Sequence, residues 1–233
     1  KVKQKYFNLL RSKRVDAIIL AGSKFVELRP EDNDYILKAA AEIPVMLVNG
    51  YLEGKNIYST VCDDYAAVYD AVSRLIHSGS RRILYLYTSY SYSGLNKMDG
   101  YKSALISCGL PVREDLIHQC PKNIEDARDL LLRLAEQGID FDAVVTSDDS
   151  LAVGAVKYAH ARHISIPDKF SVIGYNNSLL ARCTDPEITS IDSRVEFLCT
   201  TTVQTLMRVF SGAAVPGRTT IASELIKRNT TNF

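Results

Sequence analysis

Two adjacent carboxylates, Asp148 and Asp149, are the residues most suggestive of chemistry in this 233-residue chain. Such a pair could serve proton transfer or hold magnesium. Neighbouring side chains at a helix start diverge, however, and N-capping accounts for one of them. His160 and His163 stand three apart in a helical segment, a spacing that could seat a metal; beside Arg162 and Ser165 at a helix end they read more simply as solvated groups favoured by the helix dipole. His118 lies two residues before Cys120 with no second pair, so a buried strand thiol beside a surface imidazole is the simpler account. The five cysteines, Cys62, Cys108, Cys120, Cys183 and Cys199, are odd in number and form no C-x-x-C pair. That pattern favours a reducing cytoplasm over a disulfide scaffold, and no metal site is expected. The glycine-rich dinucleotide fingerprint, the P-loop and the nucleophile elbow are all missing; Gly54-Lys55-Asn56 lacks both the spacing and the hydroxyl of a phosphate loop. The chain therefore reads as a binding protein without catalysis or cofactor.

The elements that must position these residues alternate. Short apolar runs at Val15–Leu20, Val45–Val48, Arg82–Tyr87, Ala143–Thr146 and Phe170–Tyr175 have the composition of strands buried on both faces. Helical spacing fills the intervals. A helix through Ala66–Ile76 takes Asp63 or Asp64 as its cap, and another through Tyr101–Cys108 stops at Gly109-Leu110-Pro111. Asn123 can cap Glu125–Gln137, Asp148 or Asp149 can cap Leu151–Arg162, and Val195–Phe210 ends at Gly212. Such alternation predicts parallel sheets with right-handed crossovers, and more than one sheet.

Composition narrows the function classes. The 28 basic and 27 acidic residues leave a formal charge of +1, giving no reason for this segment to bind nucleic acid by itself. The longest apolar runs, such as Ala17–Ala21, are far below the roughly 20 residues a membrane helix needs. The chain opens at Lys1 in a helix-like pattern, without an initiator methionine, and reads as a piece of a longer protein.

Taken in order, Arg14–Leu20, Ile43–Asn49, Ser78–Ile83, Gly100–Leu105, Ser147–Gly154, Ile166–Tyr175, Ala181–Ser190 and Glu224–Thr230 resemble the effector-binding core of the lactose/galactose repressor family of bacterial transcription regulators. Each motif is weak alone; the ordered set is specific and covers nearly the whole chain. The resemblance implies an α/β fold of two Rossmann-like parallel-sheet subdomains of the periplasmic-binding-protein type, joined by three crossovers, with a ligand in the cleft between them. It places residues 1–60 plus 194–220 in the first subdomain, incomplete at its N-terminus, and 61–193 plus 221–233 in the second. The family's first strand, a helix, a second strand and a helix-turn-helix headpiece would stand ahead of Lys1. Lacking that first strand, a sheet edge beside Val15–Leu20 would be bare.

The family's common pocket positions fall on Asn49, Lys97, Asp148 and Asn176, and all four depart from the usual residues. Lys offers a point charge where the family carries the planar fork of Arg. Asn49 and Asn176 both donate and accept where acids are common, and Asp148 only accepts where Asn is common. Asp148 would then stand where Lys97 can pair with it. The result is either a self-neutralised polar cleft or a changed ligand class; if Lys97 reads the ligand, Lys97→Ala should abolish binding with the melting temperature near wild type.

Tyr85 and Tyr87 share one strand face and read as core. Tyr90 and Tyr92 fall in a Ser-rich loop, Thr88–Gly94, where they either stack on a ligand or are simply exposed. By analogy a homodimer interface would include Val153, Val156, Lys157, Leu180, Cys183 and Thr184, against ordinary surface as the alternative. The implied role is ligand-responsive control of transcription in the cytoplasm. A sugar-like effector would alter operator DNA affinity through the headpiece. The alternative is a periplasmic sugar-binding protein that feeds a transporter.

Overall fold

A computed structural model describes residues 2–233. In chain order its principal elements are α1 (Val2–Ser12), β1 (Ile18–Ala21), α2 (Asp34–Ala40), β2 (Val45–Val48), β3 (Ile57–Cys62), α3 (Asp64–His77), β4 (Ile83–Tyr87) and α4 (Tyr92–Ser107). There follow β5 (Ile117–Gln119), α5 (Ile124–Glu136), β6 (Ala143–Thr146), α6 (Asp149–Ala161), β7 (Ser171–Tyr175), α7 (Leu179–Arg182), β8 (Thr189–Asp192), α8 (Val195–Phe210), β9 (Arg218–Ile221) and β10 (Glu224–Ile226).

The elements form two units. Unit 1 holds the described residues up to Asp63 together with Ser91–Ser93 and Arg194–Ala222; unit 2 holds Asp64–Tyr90, Gly94–Ser193 and Ser223–Phe233. The sheet of unit 1 runs β1-β2-β3-β9, all parallel, with β1 at its edge. Ile18 and Leu20 of β1 pack with Phe7, Ile36 and Val45 on one face. On the other face Leu198 of α8 meets Val48, Cys62 and Ile221, while Ile19 stays 46% exposed.

The sheet of unit 2 runs β10-β8-β7-β6-β4-β5 and is parallel except for β10, which pairs antiparallel with β8. Strands β4, β6 and β7 are buried throughout, as their apolar runs predict. Leu131, Leu151 and Val156 fill one side of this sheet; Leu75, Tyr101 and Val145 fill the other. Close contact between α5 and α6 depends on Gly154, where an added Cβ would sit 2.6 Å from the Ala127 Cβ and from the Ile124 carbonyl. Asn123 caps α5 by accepting from the Glu125 and Asp126 amides, as expected.

Two differences from the sequence reading matter for the site. Helix α4 begins at Tyr92, so Tyr92 is a first-turn helical residue, not part of a loop reaching Gly94. Strands β3 and β8 carry hydroxyl-bearing residues that are nonetheless buried. Those of β8 are matched from far along the chain: the Thr189 amide donates to Thr230 Oγ1 at 2.9 Å, and Ser190 Oγ donates to Asp149 Oδ1 at 2.6 Å. Burial without an apolar run is invisible to local patterning.

Candidate ligand site at the strand ends

The carboxyl ends of β4, β6 and β7 carry the polar groups of unit 2, the end at which open α/β sheets hold ligands. After β6 the chain turns into α6 through Asp148, whose extended backbone makes it the N-cap. Its Oδ1 accepts the Ser150 amide at 3.0 Å and the Ser150 hydroxyl at 2.7 Å. Its Oδ2 accepts Asn176 Nδ2 at 3.1 Å and lies 2.7 Å from the Lys122 ammonium.

Asp149 points elsewhere. It accepts Ser190 Oγ at 2.6 Å and the Ser178 amide at 2.7 Å, against Gly174 of β7, where an added Cβ would meet Asp149 Oδ1 at 2.2 Å. Burial raises its pKa above the usual carboxylate value, partly offset by those hydrogen bonds. The two carboxylates thus serve separate local tasks. Among the described residues no three His, Cys, Asp or Glu side chains come together as a metal site.

Lys97, on α4, is only 7% exposed. Its ammonium lies 3.4 Å from the centroid of the Tyr175 ring, 3.9 Å from Asp64 Oδ1 and 3.4 Å from the Ser147 carbonyl. The Tyr175 hydroxyl donates to the same Asp64 oxygen. The expected pairing is therefore corrected: Lys97 pairs with Asp64, and Asp148 with Lys122. The reason is topological, since α3 brings Asp64 beneath the end of β7 and the segment after β5 carries Lys122 to the start of α6. Neither Asp64 nor Lys122 was singled out from sequence as a site residue; Asp64 was visible only as an alternative cap, and no sequence signal pointed to Lys122.

Asn176 follows β7 with φ +96°, a left-handed conformation that Asn tolerates better than most residues, and its amide donates to Ile191 O at 2.8 Å. Tyr87 is buried and donates its hydroxyl to Tyr90 at 2.6 Å, the rings 4.9 Å apart and edge-on. Burial, with the Tyr90 hydrogen bond, pushes the Tyr87 pKa up to about 12. Tyr90 itself is 53% exposed.

Two of the expected ligand residues belong to unit 1. Asn49 follows β2 with φ +57°, and its side-chain oxygen accepts the Cys62 amide at 3.1 Å, tying the ends of β2 and β3 together. The ring of Tyr92 lies 6.0 Å from that of Tyr51, over which the Arg218 guanidinium sits at 5.1 Å. Within unit 2, then, Asp148 and Asn176 stand in direct contact at neighbouring strand ends, and the Lys97 ammonium reaches those ends from α4.

The expected interface positions divide. Val153 and Val156 pack into unit 2's own core, 7% and 2% exposed, because α6 is apolar on nearly every side. Lys157, Leu180 and Cys183 are exposed and Thr184 is half-buried.

Comparisons place this geometry. A family model described as a periplasmic binding protein-like domain matches residues 72–231. An HTH-type transcriptional regulator of Lachnoclostridium phytofermentans is 56% identical over 231 residues, 99% of this chain and 69% of the relative. The HTH-type regulator AscG of Escherichia coli is 29% identical over 217 residues, 93% of this chain and 63% of its own length. The chain thus spans about two thirds of these curated relatives. Among solved structures, a sugar-binding transcriptional regulator of the LacI family from E. coli, complexed with phosphate, aligns with a TM-score of 0.86 at 28% identity, covering 98% of this chain and 81% of that one. The alternative of a transporter component gives way to the 56% identity with a regulator. The chain belongs to the lactose/galactose repressor (LacI/GalR) family of transcriptional regulators and matches the effector-binding core of its members.

Proposed function

We propose that this chain is the effector-sensing and dimerising part of a ligand-responsive transcription regulator that works in the cytoplasm. Its effector is a small polar molecule of the sugar class, held in unit 2 by Lys97, Asp148 and Asn176 with the ring of Tyr90 contributing; Asn49 and Tyr92 are the corresponding ligand candidates of unit 1. One observation carries the reading: at the ends of β6 and β7 a carboxylate and a carboxamide are locked together at 3.1 Å by residues of the fold itself. Fixed donors and acceptors of this kind suit hydroxyl groups, which both give and take hydrogen bonds. The E. coli relative of known structure is itself described as sugar-binding.

The effector acts only as far as it favours one conformation over another. Operator DNA is contacted by a helix-turn-helix headpiece of the kind named for the curated relatives, outside this chain. A homodimer forms through the exposed Lys157, Leu180 and Cys183 with Thr184. A thermal-shift screen of sugars, sugar phosphates and nucleobases tests the reading. A sugar that raises Tm in a saturable way supports it; stabilisation by nucleobases alone contradicts the sugar class.

A further inference from the structure

We infer that Lys122 is a built-in competitor of the effector, occupying the Asp148 carboxylate until a neutral hydroxyl-bearing ligand displaces it. The inference rests on the sugar-binding reading above and adds to it the charge of the ligand and a residue that sets affinity.

A carboxylate offers about four acceptor sites. Those of Asp148 are all taken: Ser150 N and Oγ on one oxygen, Asn176 Nδ2 and Lys122 Nζ on the other. Three of the four partners are parts of the fold, two making the α6 cap and one fixed by the left-handed turn after β7. Lys122 differs. Its side chain is 65% exposed while that of Asp148 is 11% exposed, so the cation approaches from water at the end of a long flexible stem. A ligand hydroxyl gains Asp148 at least cost by taking the place of Lys122. The displaced ammonium returns to solvent, and an ion pair this exposed is weak to begin with.

Charge bookkeeping favours a neutral ligand. Lys97 is matched by Asp64 and Lys122 by Asp148. An anionic ligand would bring an unmatched charge next to Asp148, whereas a neutral polyol replaces one donor with another and gains a charge-assisted hydrogen bond.

The test is calorimetric titration of the wild-type chain and Lys122→Ala with D-glucose, D-galactose, D-ribose and cellobiose, with D-glucuronate and D-glucose 6-phosphate as acidic counterparts. Lys122 lies in an exposed segment before α5, so its replacement leaves the fold intact. For the neutral sugar that binds, Lys122→Ala is expected to bind roughly two- to fivefold tighter, the worth of an exposed ion pair. Wild-type affinity should also tighten as salt rises from about 0.05 to about 0.5 M, a trend that Lys122→Ala loses. Equal or weaker binding of the neutral sugar by Lys122→Ala overturns the inference and leaves the sugar reading standing. So does a preference for an acidic sugar that Lys122→Ala destroys, which makes Lys122 a direct anion contact. Failure of every sugar to bind either protein overturns the sugar reading, and the inference with it.

Discussion

Lys97 shows how a pocket residue can also be a core residue. Its ammonium and the Asp64 carboxylate are both buried, and each is the other's counter-charge. Removing one side of a buried pair leaves an uncompensated charge. Lys97→Ala is therefore expected to lower stability by about 3 kcal/mol in urea denaturation, with Asp64→Asn added on top recovering part of it. Stability near wild type, as the sequence alone suggested, would mean the pair is not formed. Tyr85 makes the opposite case. Its hydroxyl is fully buried with no hydrogen-bond partner, and burial, then the nearby Asp64 charge, raises its pKa. Tyr85→Phe should raise stability by about 1 kcal/mol, about 2–4 °C in Tm for a chain of this size. A fall in Tm would show a hydrogen bond that Phe cannot make. Asp149 adds a pH dependence. Its folded pKa is raised, so the folded state holds the proton more tightly and loses stability as pH climbs from about 3.8 through the raised value. Relative to wild type, Asp149→Asn should become progressively more stable across that window and level off above it, as followed by denaturation at stepped pH.

Most of the longer helices and the apolar strands were legible in the sequence because their signals are local, whereas α2, α7 and the first half of α4 were not read. The cap at Asn123, the cap at Asp148 and the span of α8 all follow from residue type and period. Strands β3, β8 and β9 were not, since Ser and Thr interrupt their apolar runs and β8 takes partners such as Thr230 from far along the chain. The same limit applied to the site. Asp148 and Asn176 were singled out from sequence, but the exchange of partners between Lys97 and Lys122 depends on which helices the sheet brings alongside. Packing between helices yields its own prediction. Gly154→Ala forces a methyl against the Ala127 side chain and the Ile124 carbonyl and should cost about 1–3 kcal/mol in thermal unfolding. A neutral outcome would mean α5 can move away from α6 freely.

At the scale of the molecule, two α/β units are built from segments that alternate along one chain. Near-neutral composition, which first argued only against nucleic-acid binding, suits a sensing core in a family whose members carry a separate helix-turn-helix part. Sensing requires that ligand binding stabilise the folded chain, by about 2.7 kcal/mol at a hundredfold excess over Kd. The most direct test of this claim compares the wild-type chain with Asp148→Ser by calorimetric titration with the sugar that binds. Serine keeps the helix cap and removes the carboxylate. The account predicts saturable binding to the wild type and at least a tenfold loss, about 1.4 kcal/mol, in a variant that still folds. Equal affinity in the two proteins would place the effector away from Asp148 and contradict the account.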